Sequence, residues 1–446
     1  MLARFLNCLR PVFFVVFSPV VLAAQLVFPP VAPPQATSAD RLIEQPHLVA
    51  RGGDAAPRGH ALSLRSLLRA VGESHPLLER GVADVAAGRL FVDSARWARF
   101  PSIELGTALS DFGGAQPTLR IRQPVVTFGR LQAGLDLAQA NLGASEAGLA
   151  TARRSLAERA ALSHTRWAAL AEQVDLARGH LERHGELLAL IARRAEGGLS
   201  ARSDISLASG RVALVRARLS ALEGQFAQAQ AEIDTLMRDR RFAVAVVDDL
   251  PPVPSASAEA LAGLFAAVSP SLERLARQTD AAIADAAVAQ ASRMPIVLAR
   301  VERAPNLLTA QPETRAILAV DVQSGPGLAA LSDYRARLSR IDALRAESRA
   351  ERESLELLAS TLLSQRQALI AQQSHIATQL DAVAQTVSAF LRQFDAGRRS
   401  WLDVLNAERE RFEAELSRAQ LDAAIREVDL RILVASGALD AWMDSP

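Results

Sequence analysis

The sequence predicts a mainly α-helical chain with a small β part, built as an internal two-fold duplication of long antiparallel helical hairpins. Three observations predict it: landmarks that recur at constant offsets, apolar residues spaced by seven, and two short passages where the period drops to two. The landmark Asp395-Ala396-Gly397-Arg398-Arg399-Ser400-Trp401-Leu402-Asp403 has an earlier counterpart in Glu196-Gly197-Gly198-Leu199-Ser200-Ala201-Arg202-Ser203-Asp204. Gly198 and Gly397 stand 199 residues apart, as do Asp204 and Asp403. Each stretch reads as a helix break, in which an acid and a glycine stop one helix and a Ser/Asp-rich restart opens the next. Upstream, the pairs Pro76/Pro270 and Pro101/Pro295 share an offset of 194. Two landmarks at each offset indicate one unit written twice, with five extra residues between the landmarks of the second copy.

Composition supports long helices. Hydrophobic residues make up 50 % of the 446 positions and aromatic ones only 4 %, which suits Ala/Leu/Arg/Glu helices better than a mixed core. With 50 basic and 49 acidic residues there is no global field to attract nucleic acid. Residues 1–24 read as a secretory signal peptide: Arg4 and Arg10, the apolar run Val12 to Phe17, then small residues at Ala23 and Ala24. Cys8, the only cysteine, lies within that segment, so the mature chain is expected to hold no disulfide and no thiolate metal site. Residues 25–60, with Pro29-Pro30, Pro33-Pro34, Gly52-Gly53 and Pro57, read as a disordered Pro-rich leader.

The first repeat is expected over 61–250. A helix carrying Leu64, Leu67, Leu68 and Val71 ends at His75-Pro76, and a second helix runs until Pro101 stops it. Ile103, Leu105 and Thr107 then alternate with Glu104 and Gly106, and Leu119 and Ile121 with Arg120 and Arg122, predicting a β-hairpin at about 102–124. A long helix follows over 131–195, with Leu135, Leu142, Leu149 and Leu156 seven residues apart, the spacing of supercoiled packing. A tip at 196–204 and a return helix over 205–237 complete the unit.

The second repeat, 251–446, follows the same plan: helices, a hairpin at about 296–322, a long helix over 328–394, a tip at 395–403 and a return helix over 404–435. Helices of that length span about 100 Å and carry apolar residues on more than one side. They require neighbours, so oligomerisation is expected. Each hairpin has an apolar face and a partly charged one. That pattern fits either a sheet half-buried on a soluble core or a sheet with lipid on one side and water on the other. Two hairpins cannot close a barrel alone.

No catalytic, cofactor or metal constellation is legible, and no enzyme activity is expected. His180 and His184 have the i, i+4 spacing of a ligand pair but no third candidate, and they read as a solvated helix face. Ser324-Gly325-Pro326-Gly327 lacks the Lys-Ser/Thr of a phosphate loop.

Several motifs in order resemble those of the TolC-like outer-membrane efflux and secretion channels. They are His75-Pro76 and Ser269-Pro270, Pro101 and Pro295, the strand exit Gln123-Pro124-Val125-Val126-Thr127-Phe128-Gly129-Arg130, the Gly397 to Arg409 segment, and Leu433 to Leu439. The resemblance implies a homotrimer in the outer membrane of a Gram-negative cell, extending into the periplasm. Each chain would give four strands to a 12-stranded barrel held in outer-membrane lipid and long helices to a periplasmic tunnel. It also implies partners: a periplasmic adaptor (membrane fusion) protein and an inner-membrane ABC transporter, or alternatively a proton-driven efflux pump. Gly198, Leu199, Ser200, Gly397, Arg398 and Arg399 would be adaptor-contact turns. Asp204 and Asp403 would either cap the return helices or form a ring of carboxylates at the aperture. The run Leu181 to Asp204 resembles the type I secretion branch, especially adhesin exporters, with small-molecule efflux as the alternative. A periplasmic coiled-coil scaffold without a pore is a third reading. The second strand exit, Asp321 to Gly327, lacks the Gln-Pro-aromatic form.

Overall fold

The computed structural model describes residues 60–109, 115–198, 200–237, 242–246, 250–305, 312–322 and 329–444. The expected signal peptide, the leader up to residue 59, the hairpin turn at 111–114 and the connector at 324–327 lie outside the described residues. All the described elements belong to the unit Pro57–Pro446.

The duplication is visible element by element. The first unit opens with α1 (Leu64–Ser74), α2 (Pro76–Trp97), β2 (Ser102–Leu109) and β3 (Ala115–Val126), and continues with α3 (Arg130–Glu196) and α4 (Arg202–Leu236). The second opens with α5 (Ala258–Val268), α6 (Pro270–Ala291), β5 (Ile296–Pro305) and β6 (Pro312–Asp321), and continues with α7 (Ala329–Asp395) and α8 (Trp401–Ala435). Paired helices have equal lengths of 11, 22, 67 and 35 residues. Helix starts keep the offset of 194 before the sheet and 199 after it, so the additional residues fall in the strand-bearing segment between α6 and α7.

The same local chemistry starts matching helices. Ser63 and Ser257 accept the N–H groups of Ser66 and Ala260. At the next junction Nδ1 of His75 accepts from Leu77 N–H at 3.2 Å, and Oγ of Ser269 accepts from Leu272 N–H at 3.3 Å. Each precedes a proline at the first helical position, where the missing N–H costs nothing. Gly81 and Gly88 bring α2 against Leu149 and Leu142, two of the seven-spaced leucines of α3.

Three short elements carry no periodicity that the sequence reveals. A parallel pair joins β1 (His60–Ser63) to β4 (Phe242–Val246), and a short helix, α9 (Ala438–Asp444), follows α8. The main core gathers around β1, α1, α3, α4 and α9, with Leu62, Leu67, Trp167, Ile233, Leu433 and Leu439 among its buried members. Trp167 is fully buried and stacks on Phe226 at 6.5 Å. A smaller cluster, with Val174, Ala177, Leu219, Leu222, Phe412 and Leu416, joins α3, α4 and α8 nearer the turns.

The larger sheet has the order β2-β3-β5-β6, antiparallel throughout. The two hairpins thus lie side by side through β3 and β5. Strand β3 runs through Pro124 with a register irregularity between Pro124 and Val126, the usual accommodation of proline in a sheet. Phe128 and Gly129, both at positive φ, turn the chain from the strand into α3.

Candidate functional site

Cross-strand pairing sorts the sheet into two chemically distinct faces. On one, Ile103, Ile121, Val301 and Ala316 align across all four strands, flanked by Ala299 with Leu318, by Val297 with Val320, and by Leu105 with Leu119, a row that continues into Arg303 and Thr314 at its far side. No helix covers this face among the described residues: Leu105 is 82 % and Leu318 69 % exposed. Among the described residues, then, this face of the sheet is not packed on a core.

The other face carries the row Glu104, Arg120, Glu302 and Arg315, which alternates in charge across the four strands. Arg120 reaches Glu302 at 2.7 Å and Glu104 at 3.6 Å, and Arg122 also pairs with Glu104. Unlike charges directly opposite each other stabilise a pair of strands by roughly 0.2–1 kcal/mol. Strands β2 and β6 each keep one edge without a partner among the described strands. The sheet thus combines an uncovered apolar face, a charged face and two edges without a partner strand among the described residues.

At the far end of the helices, Gly197 N–H bonds Arg193 C=O and Gly198, at φ +74°, turns the chain. At the second turn Gly397 has φ +68°; Arg398 N–H bonds Gln393 C=O at 2.9 Å and Gly397 N–H bonds Phe394 C=O at 2.9 Å. This is a Schellman closure. Leu199 lies outside the described residues. Ser200 and the turn residues Gly397, Arg398 and Arg399 lie at the surface.

The return helices start three residues before the expected positions, because Ala201 and Ser400 hold the cap position and the two aspartates fall inside the first turn. The two turns then differ. Ala201 has no side-chain acceptor, and Asp204 reaches back to its N–H at 3.1 Å. Ser400 caps Leu402 N–H through Oγ at 3.2 Å, leaving Asp403 to pair with Arg399 at 3.1 Å. Arg399 also lies over the Phe390 ring at 3.9 Å, and Arg194 of α3 lies over Phe394 of α7 at 4.7 Å. These cation–aromatic contacts secure the second turn and link the two long helices.

His180 and His184 do not form a solvated helix face. Both are buried on the side of α3 that meets α8, where His180 stacks on Phe412 at 4.2 Å with the rings 5° apart. Beside them Arg183 approaches Glu408 at 3.4 Å and Glu415 at 3.6 Å, while Arg411 approaches the same carboxylates at 3.0 and 3.5 Å. Burial holds the His180 imidazole down to about 3, with His184, Arg183 and Arg411 adding to the effect. Burial likewise lowers His184; the His180 backbone partly opposes this, and Arg183 and Arg211 reinforce it. Glu408 is pushed above its ordinary value by burial, against the pull of Arg411 and Arg183, with Glu415 pushing it further up. The clue in the sequence was the face Glu408, Arg411, Phe412, Glu415 at helical spacing, but nothing in it placed that face against His180.

Among the described residues no helix is long and apolar enough to cross a membrane. No curated protein sequence matches the chain. Residues 67–237 match the family model described as outer membrane efflux protein. Several solved structures share the fold. The outer membrane protein VceC of Vibrio cholerae is 17 % identical, with 84 % of this chain and 96 % of that one covered and a TM-score of 0.73. For the outer-membrane channel OprN the values are 20 %, 84 %, 89 % and 0.70. For the open state of the MtrE outer membrane channel of Neisseria gonorrhoeae they are 16 %, 84 %, 88 % and 0.69. The family match falls on the first of the two repeats, and the likeness to these solved structures extends a shared fold over most of the chain.

Proposed function

We propose that this chain is the outer-membrane channel of a tripartite export system, three copies closing one 12-stranded barrel and one helical tunnel. The observation that carries this is the sheet: four strands, two open edges, an uncovered apolar face and a charged opposite face. In a closed barrel the apolar face meets outer-membrane lipid and the charged row lines a watery lumen. The helices then extend into the periplasm. Their turns, with Gly198, Leu199, Ser200, Gly397, Arg398 and Arg399, receive a periplasmic adaptor protein fed by an inner-membrane transporter. The chain is a conduit, and the energy for transport comes from that partner. A scaffold without a pore would leave the apolar face of the sheet in water.

For cargo we read type I protein secretion, driven by an ABC transporter, on the strength of the run Leu181 to Asp204. Small-molecule efflux through a proton-driven pump is the second reading, favoured by the description of the matching family model. Asp204 and Asp403 serve the starts of the return helices, as the bonds to Ala201 N–H and Arg399 support. Gene deletion with complementation tests these points together. Loss of export of one large protein with unchanged drug sensitivity is expected; the opposite pattern supports efflux. Complementation by the double variant Asp204→Asn/Asp403→Asn should restore export, and failure by a folded, membrane-inserted variant would make the two acids aperture groups instead.

A further inference from the structure

The cluster at His180 is a costly arrangement that packing alone does not explain. Two imidazoles and the carboxylate of Glu408 are each at most 3 % exposed, and they sit where apolar side chains would serve a helix seam as well or better. The second repeat carries no such cluster. Shifted by 199 residues, His180, Arg183 and His184 become Gln379, Ala382 and Val383, and Glu408, Arg411 and Phe412 correspond to Ser209, Val212 and Ala213. The ionisable cluster is thus confined to one repeat-specific place, the seam where α8 packs against α3. It lies roughly 10–25 Å of helix from the turns.

We propose that the cluster is a proton-sensitive latch, and that acidification loosens the seam between α3 and α8. The groups facing the imidazoles are Arg183 on α3, Arg211 on α4, and Glu408, Arg411 and Glu415 on α8. Three of the five are guanidinium groups, so a proton on either imidazole adds positive charge beside existing positive charge in a dry space. Opening the seam hydrates the imidazole and relieves that repulsion. The sign follows from linkage. A histidine whose proton affinity is depressed in the closed state stabilises that state above its ordinary value near 6.5, and this contribution is lost as pH falls from there towards about 3. Glu408 acts in the opposite direction, since its raised value favours the closed state on acidification. It is one group against two, and the histidine effect begins at higher pH. Between pH 7.5 and 5.5 each histidine shifts the closed-to-open equilibrium by up to about tenfold.

Hydrogen–deuterium exchange on the intact protein in detergent tests this, with rates corrected for intrinsic pH dependence. Exchange in 177–187 and 405–416 should rise from pH 7.5 to 5.5, by up to about tenfold for each histidine, relative to the matching segments 376–386 and 206–217. The double variant His180→Phe/His184→Leu should flatten that response. A wild-type seam that does not respond, or a response that persists in the double variant, would overturn the proposal. If the double variant does not fold, the pKa of His180 from imidazole C2-deuterium exchange in the wild type decides: a value well below 6.5 supports the latch, and an ordinary value ends it.

Discussion

Leu105→Arg is expected to lower the stability of the assembled barrel by about 2–4 kcal/mol per chain, the cost of a basic side chain facing the middle of a bilayer. Leu105 lies in mid-strand on the face whose members Ile103, Leu318 and Val320 are all exposed in the single chain. Each assembly repeats the substitution in every copy, so the effect multiplies and membrane-inserted protein should fall sharply. The control is Thr118→Arg, on the face shared by Glu104 and Arg120, where an arginine enters a charged, aqueous environment and insertion should be retained. Heat-modifiability on gels and the yield of outer-membrane protein read both variants. If Leu105→Arg inserts as well as Thr118→Arg, the apolar face does not meet lipid.

Trp167→Ala should cost about 3–5 kcal/mol. The indole is the largest side chain that is fully buried, and it fills the space between α3 and α4 where Phe226 stacks on it and His164 meets it edge-on at 6.0 Å. His164 in turn bonds the Leu62 carbonyl through Nε2 at 3.1 Å, so the loss reaches β1 as well. Trp167→Phe should be much milder, because it keeps most of the apolar area and removes an indole N–H that is buried without a hydrogen-bond partner. Denaturant unfolding in detergent separates the two. Equal losses would mean that the indole acts through its polar edge and not through its volume.

The parts of the fold that are legible in the sequence are those with local backbone causes. Pro76 and Pro270 can only stand where a helix begins, and Gly198 and Gly397 where the chain needs positive φ, so the duplication can be read from these residues alone. The hairpins are legible because alternation of Ile103 and Leu105 with Glu104 is a local pattern. Two things are not. The return helices begin earlier than the aspartates imply, because Asp204 acts from inside the first turn on an alanine that cannot cap itself, a geometry that residue identity does not reveal. His180 and His184 mislead because what buries them, Phe412 and the Glu408–Arg411 pair, is more than 220 positions away in sequence. An i, i+4 pair looks the same on a wet face and on a dry one. The pairing of β1 with β4 has the same character: two short strands joined across the whole first unit.

If this chain is one third of a channel, the mass of the native particle must show it. Protein extracted from outer membranes in mild detergent and weighed by native mass spectrometry should give three chains per particle. A particle of one chain, or recovery of the protein from the soluble periplasmic fraction, would refute the channel, since the open edges of β2 and β6 would then have no partner to close them.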